Sequence, residues 1–247
     1  MLRPTAALAV GLVATTTLAG VPRPVQAAAS SALQPRFEIP SSVRQLIIVS
    51  SPTYDPADFL ASLQTFVRAS PRAPWKRVSP PWQAETGRGH LLATRREGDG
   101  ATPVGVFSIG PRLYGNYANP GGLRDRYHRL VCGDWWDEDP YSGQYNRFVH
   151  VPCGTTPPFA SSSEALWTVY NVYAYFAVID FNLDPTIAGP NAPGSGIFLH
   201  AWENGPTHGC VALPLPDLLM VLRWLNPAER PVIEIGTTAE VGSSLRA

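Results

Sequence analysis

Apolar and polar residues alternate over short stretches along most of this chain, which predicts many short strands. Residues 46–49 form an apolar, largely β-branched run, so we expect a buried first strand over residues 44–50. Residues 75–109 break into short apolar segments separated by Pro-Pro and Gly-rich turns. Further strands are predicted over residues 147–151, 169–179, 197–199 and 231–235.

Two segments have the spacing of helices. Asp55 and Pro56 are typical of a helix start, and the apolar residues after them recur at helical intervals. These residues are Phe59, Leu60, Leu63, Phe66 and Val67. A second helix is expected over residues 216–225, because Asn226-Pro227 would end it. The pattern therefore predicts a mostly β single domain with two helices packed on it.

The N-terminal residues 1–27 are typical of an export signal. Arg3 supplies a positive start, residues 6–19 are largely apolar, and Val25-Gln26-Ala27 offers a cleavage site. The apolar run is too short to span a bilayer comfortably, which favours cleavage over the alternative of an uncleaved membrane anchor. We therefore expect export to the periplasm, cell wall or medium after cleavage near Ala27, without stable membrane insertion of the mature chain.

The rest of the chain divides into three predicted parts. These are a linker over residues 28–42, one domain over residues 43–236 and a flexible tail over residues 237–247. Hydrophobic residues make up 45% of the chain and charged residues 15%, a composition that favours a folded core over disorder. The 19 basic and 19 acidic side chains cancel, so we expect no nucleic-acid partner.

Three cysteines in an exported chain leave an odd number to pair. Oxidising compartments favour disulfides, and Cys132 and Cys153 bracket a segment rich in Trp, Tyr and Asp. A bond between them would close a loop of about 22 residues and stabilise the fold by roughly 3 kcal/mol. Cys210 would then be free. Three free, buried thiols are the alternative.

The residues best suited to catalysis lie at positions 197–213. His200 ends an apolar strand, and Cys210 follows it after a turn signal at Asn204-Gly205-Pro206. That turn can bring the thiol beside the imidazole. A neighbouring imidazole can take the proton of a thiol and turn it into a nucleophile.

The residues just before Cys210 can complete such a site. His208 and Cys210 project from the same face if this segment is extended. Gly209 leaves the backbone uncrowded, so the amide groups of Gly209 and Cys210 could face a developing oxyanion. Thr207 can hydrogen-bond locally or orient one of the imidazoles.

Two metal sites are alternatives to this interpretation, one for zinc and one for calcium. His200, His208 and Cys210 also have a spacing seen in zinc ligands, but neither Glu203 nor Asp217 makes an evident fourth ligand. Residues 137–139 are consecutive acids that could bind calcium, although acids on a loop are usually solvated. We therefore predict no metal.

Several motifs together resemble one known family. Residues 207–211, Thr-His-Gly-Cys-Val, resemble the [Ser/Thr]-His-Gly-Cys-[Val/Ile] signature of L,D-transpeptidase catalytic domains of the YkuD type, in which a His at the end of a strand precedes the signature. Four further segments are similar to one branch of that superfamily. They are residues 97–107 (Glu-Gly-Asp-Gly-Ala-Thr-Pro-Val-Gly-Val-Phe), 135–140, 145–146 and 194–200. The likeness extends over residues 44–236.

The resemblance implies a mixed β-sandwich or barrel-like fold and a cysteine acyl-transferase of the cell wall that needs no cofactor. Cys210 would be the acylated nucleophile and His200 its base, while His208 and Gly209 would line the acyl site. The enzyme would attack peptidoglycan stem peptides between the third residue and the terminal D-alanine. An amine would then resolve the thioester. Carbapenem-type inhibitors are expected to acylate the thiol.

Substrate contacts are predicted at Thr207, Trp202 and Asn182, the last with a turn former as its alternative. Many family members carry Arg directly after the Cys-Val/Ile pair, where this chain has Ala212. Arg223 is the replacement suggested by proximity in sequence. Two other functions are consistent with the same residues: an L,D-carboxypeptidase, in which water resolves the thioester, and a non-catalytic wall-binding protein that keeps the fold.

Overall fold

The computed structural model describes residues 37–55, 58–160, 162–202, 204–242 and 245. All of them belong to one compact unit, residues 32–247. The expected export signal and the first part of the expected linker lie outside the described residues. Within the described part of the chain, no helix combines the length and the apolar character needed to cross a bilayer.

Short strands dominate the described chain. In chain order they are β1 (Gln45–Ser51), β2 (Leu60–Val67), β3 (Lys76–Arg77), β4 (Trp82–Glu85), β5 (Leu91–Leu92), β6 (Thr102–Pro103), β7 (Gly105–Gly115), β8 (Arg126–Arg129), β9 (Asp134–Asp137), β10 (Arg147–His150), β11 (Glu164–Ala165), β12 (Phe176–Ile179), β13 (Phe198–Ala201), β14 (Val211–Leu213) and β15 (Val232–Thr237). One α-helix is described, α1 (Leu215–Trp224), with short 3₁₀ turns at Leu166–Thr168 and Pro227–Glu229. The mostly β prediction is confirmed.

The main sheet closes on itself. Its strand order is β1-β15-β7-β12-β13-β14-β4-β2-β3, and β1 also pairs with β2, so the strands from β1 round to β2 form a ring. β3 extends this ring beside β2, and β8 extends it beside β7. The barrel-like architecture implied by the family resemblance is thus confirmed.

The helix predicted after Asp55 is wrong, because residues 60–67 form strand β2. β2 pairs antiparallel with β1, placing Leu46 opposite Phe66 and Val49 opposite Leu63. Burial alternates along it, with Ala61, Leu63 and Thr65 buried on one face. The alternation was hidden in the sequence because Ala61 and Thr65 are weakly apolar. Pairing with a strand that is buried on both faces outweighs the local helix signals.

Both faces of β1 are covered. Ile47 and Val49 belong to the core inside the ring, whereas Leu46 and Ile48 join a second cluster outside it. Phe37 and Ile39, from the segment expected to be a linker, pack against this outer cluster. Val241, from the expected tail, is buried in it as well. These flanking residues therefore form part of the folded unit.

Strands β9 and β10, which lie between the two predicted disulfide cysteines, form a separate small sheet with β11, in the order β10-β9-β11. Cys132 and Cys153 are bonded to each other, and Cys210 is free and buried. Trp136 on β9 is buried and packs edge-on against Phe198 of β13. This contact joins the small sheet to the strand that carries His200.

Candidate active site

Strands β13 and β14 lie side by side and bring Cys210 to His200. The two strands are parallel, with Leu199 opposite Val211 and His200 opposite Ala212. Cys210 immediately precedes β14, and the backbone N–H of Phe198 donates to its Sγ across 3.3 Å. Residues two apart on a strand share a face, as do paired residues on neighbouring strands. His200 and Cys210 therefore face the same side of the sheet. The intervening turn does not form the antiparallel hairpin that a simple fold-back would give.

The hydrogen bonding of His200 determines which ring nitrogen is free. Its Nδ1 lies 2.8 Å from the backbone oxygen of Ala201. A carbonyl oxygen only accepts, so Nδ1 carries the proton and Nε2 keeps its lone pair. Burial lowers the pKa of His200 to about 4, although the bond to Ala201 raises it. The imidazole is therefore neutral at pH 7 and able to accept a proton.

Two cavities meet at Cys210. One, of about 230 Å³, is lined by His200, Thr207 and Ala212 together with apolar side chains. The other, of about 150 Å³, is lined by charged groups, among them Arg88, Arg95 and Glu138. Glu164, Tyr173, His208 and Cys210 line both cavities. Although Cys210 is only 7% exposed, its sulfur is at the junction of two spaces that a ligand could enter.

The thiol of Cys210 is protonated in the resting protein. Burial is the main cause that raises its pKa above the ordinary value, and the nearby carboxylates of Glu164 and Glu138 raise it further. The N–H of Phe198 and the charge of Arg95 act in the opposite direction and are outweighed. The thiol also donates to the oxygen of Gly196 at 3.3 Å. In the resting protein the thiol of Cys210 and the imidazole of His200, which line the same cavity, are therefore both neutral.

Thr207 holds the turn before Cys210. Its hydroxyl donates to the backbone oxygen of Cys210 at 2.7 Å and accepts from the N–H of Gly209 at 3.1 Å. This second bond corrects the expectation that the Gly209 amide is free to face an oxyanion. Gly209 has a φ of +130°, and a Cβ there would lie 2.6 Å from the oxygen of Ala101. Its role in the site is to let the backbone pass this close.

His208 lines both cavities. Its Nε2 is 3.0 Å from Nη1 of Arg88. A guanidinium only donates, so Nε2 of His208 is the acceptor in this bond. Burial and the charge of Arg88 both lower the pKa of His208, which keeps this ring neutral at pH 7.

The charged cavity contains residues that the sequence interpretation did not select. Arg95 is buried and Glu138 is partly buried, and Tyr173 donates to Glu164 at 2.6 Å. Burial raises the pKa of Glu138 well above its ordinary value, which favours the neutral acid there. Acids at 137–139 were expected to be solvated, yet Glu138 lines the cavity that holds the thiol.

Two predicted substrate residues lie away from the thiol. Trp202 and Asn182 are absent from the described residues that line the cavities at Cys210. Asn182 has a φ of +52°, and its side chain bonds to the backbone of Ile187 and Gly194. It is a turn former. Trp202 is half-buried, and its backbone N–H donates to the oxygen of Leu213 in strand β14 at 2.7 Å.

A larger cavity, of about 710 Å³, lies apart from these residues. It is lined in part by Arg44, Arg68 and Trp224 and by none of the predicted site residues. Both arginines already donate to backbone oxygens, including that of Val43. We place the candidate active site at Cys210, where a free thiol, a neutral imidazole and two ligand-sized spaces coincide.

Comparison with known families agrees with this geometry. A family model described as the L,D-transpeptidase catalytic domain, YkuD, matches residues 76–235, more than half of the chain. The chain belongs to the L,D-transpeptidase catalytic domain family. A search of curated proteins found no match. Family membership connects the fold with L,D-transpeptidase-type activity on peptidoglycan.

This L,D-transpeptidase domain departs from the common signature at Ala212, which lines the cavity beside His200. Arg223, suggested from its position in the sequence, does not replace the missing arginine. It lies on α1 and donates to the backbone oxygens of Gly121 and Pro120. The arginines that line the site are Arg88 and Arg95, which come from a distant segment of the chain. The only signal for them in the sequence is indirect: they lie close to the motif at residues 97–107.

Proposed function

We propose that this protein is an exported cysteine acyl-transferase that uses Cys210 and His200 to carry out L,D-transpeptidation on peptidoglycan stem peptides. The observation that carries the proposal is a free thiol that lines the same cavity as a neutral imidazole, whose Nδ1 bonds to a carbonyl oxygen and so leaves Nε2 unprotonated. Membership of the L,D-transpeptidase family supports the reaction class. The typical export signal at residues 1–27 and the disulfide support an oxidising location outside the cytoplasm.

In the first half of the reaction, Sγ of Cys210 attacks the carbonyl carbon of the third stem residue. Nε2 of His200 takes the thiol proton as the C–S bond forms, because thiolate is disfavoured before substrate arrives. The C–N bond to the terminal D-amino acid then breaks, and the imidazolium returns this proton to the departing amine. The products are a thioester and a free D-amino acid.

In the second half, an amine of another stem attacks the thioester carbon. His200 accepts a proton from this amine and passes it to sulfur as the C–S bond breaks, which restores the thiol. The backbone N–H of Cys210 is the donor we assign to the oxyanion, since the Gly209 N–H is bonded to Thr207. The two cavities that meet at the sulfur would hold the donor and the acceptor.

The test follows the intact mass of the full chain after incubation with a carbapenem, with the modified residue mapped by peptide analysis. We expect one adduct, on Cys210, and none in the Cys210→Ala variant. A tetrapeptide donor supplied with an amine acceptor should then give a cross-linked or exchanged product that the variant cannot form. Active Cys210→Ala protein would overturn the proposal.

The same experiment separates the alternatives. An L,D-carboxypeptidase would form the adduct but release free tripeptide even when the amine is present. A non-catalytic wall-binding protein would form neither adduct nor product. Zinc found in stoichiometric amount by metal analysis of the purified chain, with loss of the adduct, would instead favour a metal site at His200, His208 and Cys210.

A further inference from the structure

Arg95 is a buried cation in the charged cavity, and one nitrogen of its guanidinium has no hydrogen-bond partner among the described residues. Its side chain is 3% exposed and pairs with Asp99, with Nε and Nη2 lying 3.2 and 3.1 Å from Oδ1. Nη1 is buried and has no hydrogen-bond partner among the described residues. Leaving a buried charged donor without a hydrogen-bond partner is unfavourable. The position therefore favours a ligand that brings an acceptor to Nη1.

The backbone on both sides is shaped around this guanidinium. A Cβ on Gly194 would lie 3.1 Å from Cζ of Arg95, and one on Gly209 would lie 3.2 Å from Nη2. Gly209 directly precedes Cys210, so the charge of Arg95 lies close to the nucleophile. It lowers the pKa of the thiol, against the larger opposing effect of burial. The guanidinium is thus held at a defined position beside the reacting sulfur.

None of the three carboxylates described in this cavity is a hydrogen-bond partner of Nη1. Glu97 accepts from the hydroxyl of Ser195 at 2.6 Å and from that of Tyr145. Glu164 accepts from Tyr173. Burial raises the pKa of Glu138 well above its ordinary value, which reduces its charge at neutral pH. The three carboxylates therefore repel an incoming anion less than three free charges would, because Glu97 and Glu164 accept hydrogen bonds and Glu138 is largely protonated.

We propose that Arg95 binds the α-carboxylate of the terminal D-residue of the donor stem. The inference rests on the proposed function and adds a specificity residue to it. Arg95 would select donor stems in which a single residue, with a free carboxylate, follows the scissile bond. Peptide geometry brings that carboxylate carbon within about 4 Å of the scissile carbonyl carbon. A cation beside Gly209 can therefore reach it while the carbonyl lies over Sγ. The cavity of about 150 Å³ is smaller than a drug-sized pocket and suits one small residue.

The test compares two tetrapeptide donors that differ only at the terminus, one ending in D-alanine and the other in D-alanine amide. With the full wild-type chain we expect kcat/KM to favour the free acid on the order of 10- to 100-fold, as for a hydrogen bond to a charged group. Arg95→Gln should bring this ratio close to one. Arg96→Gln changes the exposed neighbouring arginine and should keep the wild-type ratio.

The ratio is informative because both donors are measured on one protein preparation, so a loss of folded protein cancels. A wild-type ratio near one, or an Arg95→Gln ratio equal to that of wild type, would overturn the inference while leaving the proposed function intact. Wild-type protein that acts on neither donor would instead contradict the proposed function.

A second measurement covers the case in which Arg95→Gln has no activity on either donor. Calorimetric titration of both peptides into the Cys210→Ala protein and into the Cys210→Ala, Arg95→Gln double variant removes the need for turnover. Tighter binding of the acid to the first protein, lost in the second, supports the inference. Equal binding of acid and amide to the first protein refutes it.

Discussion

The backbone N–H of Phe198 donates to the sulfur of Cys210 across 3.3 Å, between two parallel strands. Phe198 begins strand β13, which also carries His200 two residues later. The same strand therefore holds the proposed nucleophile by a hydrogen bond and carries the proposed base. Phe198 is itself fully buried against Phe176 and Trp136. This packing holds in place the strand that positions both Cys210 and His200.

Replacing the proposed base should slow acylation without unfolding the protein. His200→Gln removes the acceptor Nε2 but keeps an amide that can donate to Ala201. We expect the rate of carbapenem or tetrapeptide acylation to fall about 10²- to 10⁴-fold, the usual contribution of a general base. His150→Gln, at a half-exposed ring away from Cys210, is the matched control and should stay near the wild-type rate. A His200→Gln variant with wild-type kinetics would remove this residue from the mechanism.

Alkylation of Cys210 should be slow and should depend on pH in a defined direction. Because burial raises the thiol pKa, less thiolate exists at any pH below that value than for an ordinary cysteine of pKa about 8.5. We expect iodoacetamide to modify the native thiol at least roughly 10-fold more slowly at pH 8.5 than the urea-unfolded thiol. Native reaction with an apparent pKa below 8.5 would contradict the neutral resting pair. Slow alkylation is therefore expected of the active enzyme too, and carbapenem acylation is the better test of function.

His200 should make the fold sensitive to mild acid. Its pKa is about 4 when folded and about 6.5 when unfolded, so its contribution is fully present above pH 6.5. Between pH 6.5 and 4 the unfolded chain binds the extra proton, and up to about 3 kcal/mol of unfolding free energy is lost. Urea unfolding of wild type and His200→Gln across this range measures the effect. Parallel stability curves for the two proteins would show that the buried imidazole is not its source.

Two glycines in the turn before Cys210 should respond differently to alanine. Gly209→Ala puts a Cβ 2.6 Å from the oxygen of Ala101 at a φ of +130°, whereas a Cβ at Gly205 meets nothing within 4 Å. We expect Gly209→Ala to cost about 1–3 kcal/mol or more in unfolding free energy and to reduce acylation. Gly205→Ala should change stability by less than about 1 kcal/mol. Thermal unfolding and adduct mass compare the two directly, and equal behaviour would contradict the close backbone approach at Gly209.

Loss of the disulfide should weaken the fold more than the chemistry. Cys132→Ser with Cys153→Ser opens a loop with a sequence separation of 21, which corresponds to roughly 3 kcal/mol of stability. Neither cysteine lines the cavities at Cys210, so the folded double variant should acylate within a few-fold of wild type. Chemical unfolding and the carbapenem adduct rate provide the two readouts. An unchanged unfolding midpoint would show that the cross-link adds little to this fold.

The strands and helices could be predicted from the sequence where the local pattern and the tertiary contacts favour the same element. The apolar run of β1, the final helix α1 and the closing strand β15 were all predicted close to their observed bounds. The helix predicted after Asp55 was wrong because the apolar residues there have helical spacing, whereas the alternation is hidden at Ala61 and Thr65 and is revealed only by the pairing with β1. Residues 169–175 were predicted to belong to a strand, but the strand begins only at Phe176, and Tyr173 and Tyr175 are buried in a turn-rich segment before it.

Some residues of the candidate site could be predicted from the sequence, and others could not. Cys210, His200 and His208 lie in one continuous motif and could be selected from the sequence. Arg95, Glu138 and Glu164 come from three separate segments, and they share a cavity because of the ring closure and the docking of the small sheet. Exposed-looking acids such as Glu138 carry no local sign of burial. Their contribution to the thiol pKa follows from the tertiary structure alone.

The parallel arrangement of β13 and β14 has a consequence for engineering and for divergence among homologous domains. The position of Cys210 relative to His200 is given by strand register, not by how many residues connect the strands. Insertions between Trp202 and Pro206 could therefore lengthen this loop and reshape the cavity entrance while sulfur and imidazole keep their separation. The loop between His200 and Cys210 is therefore the part of the proposed site where insertions should alter acceptor preference with least effect on the strands.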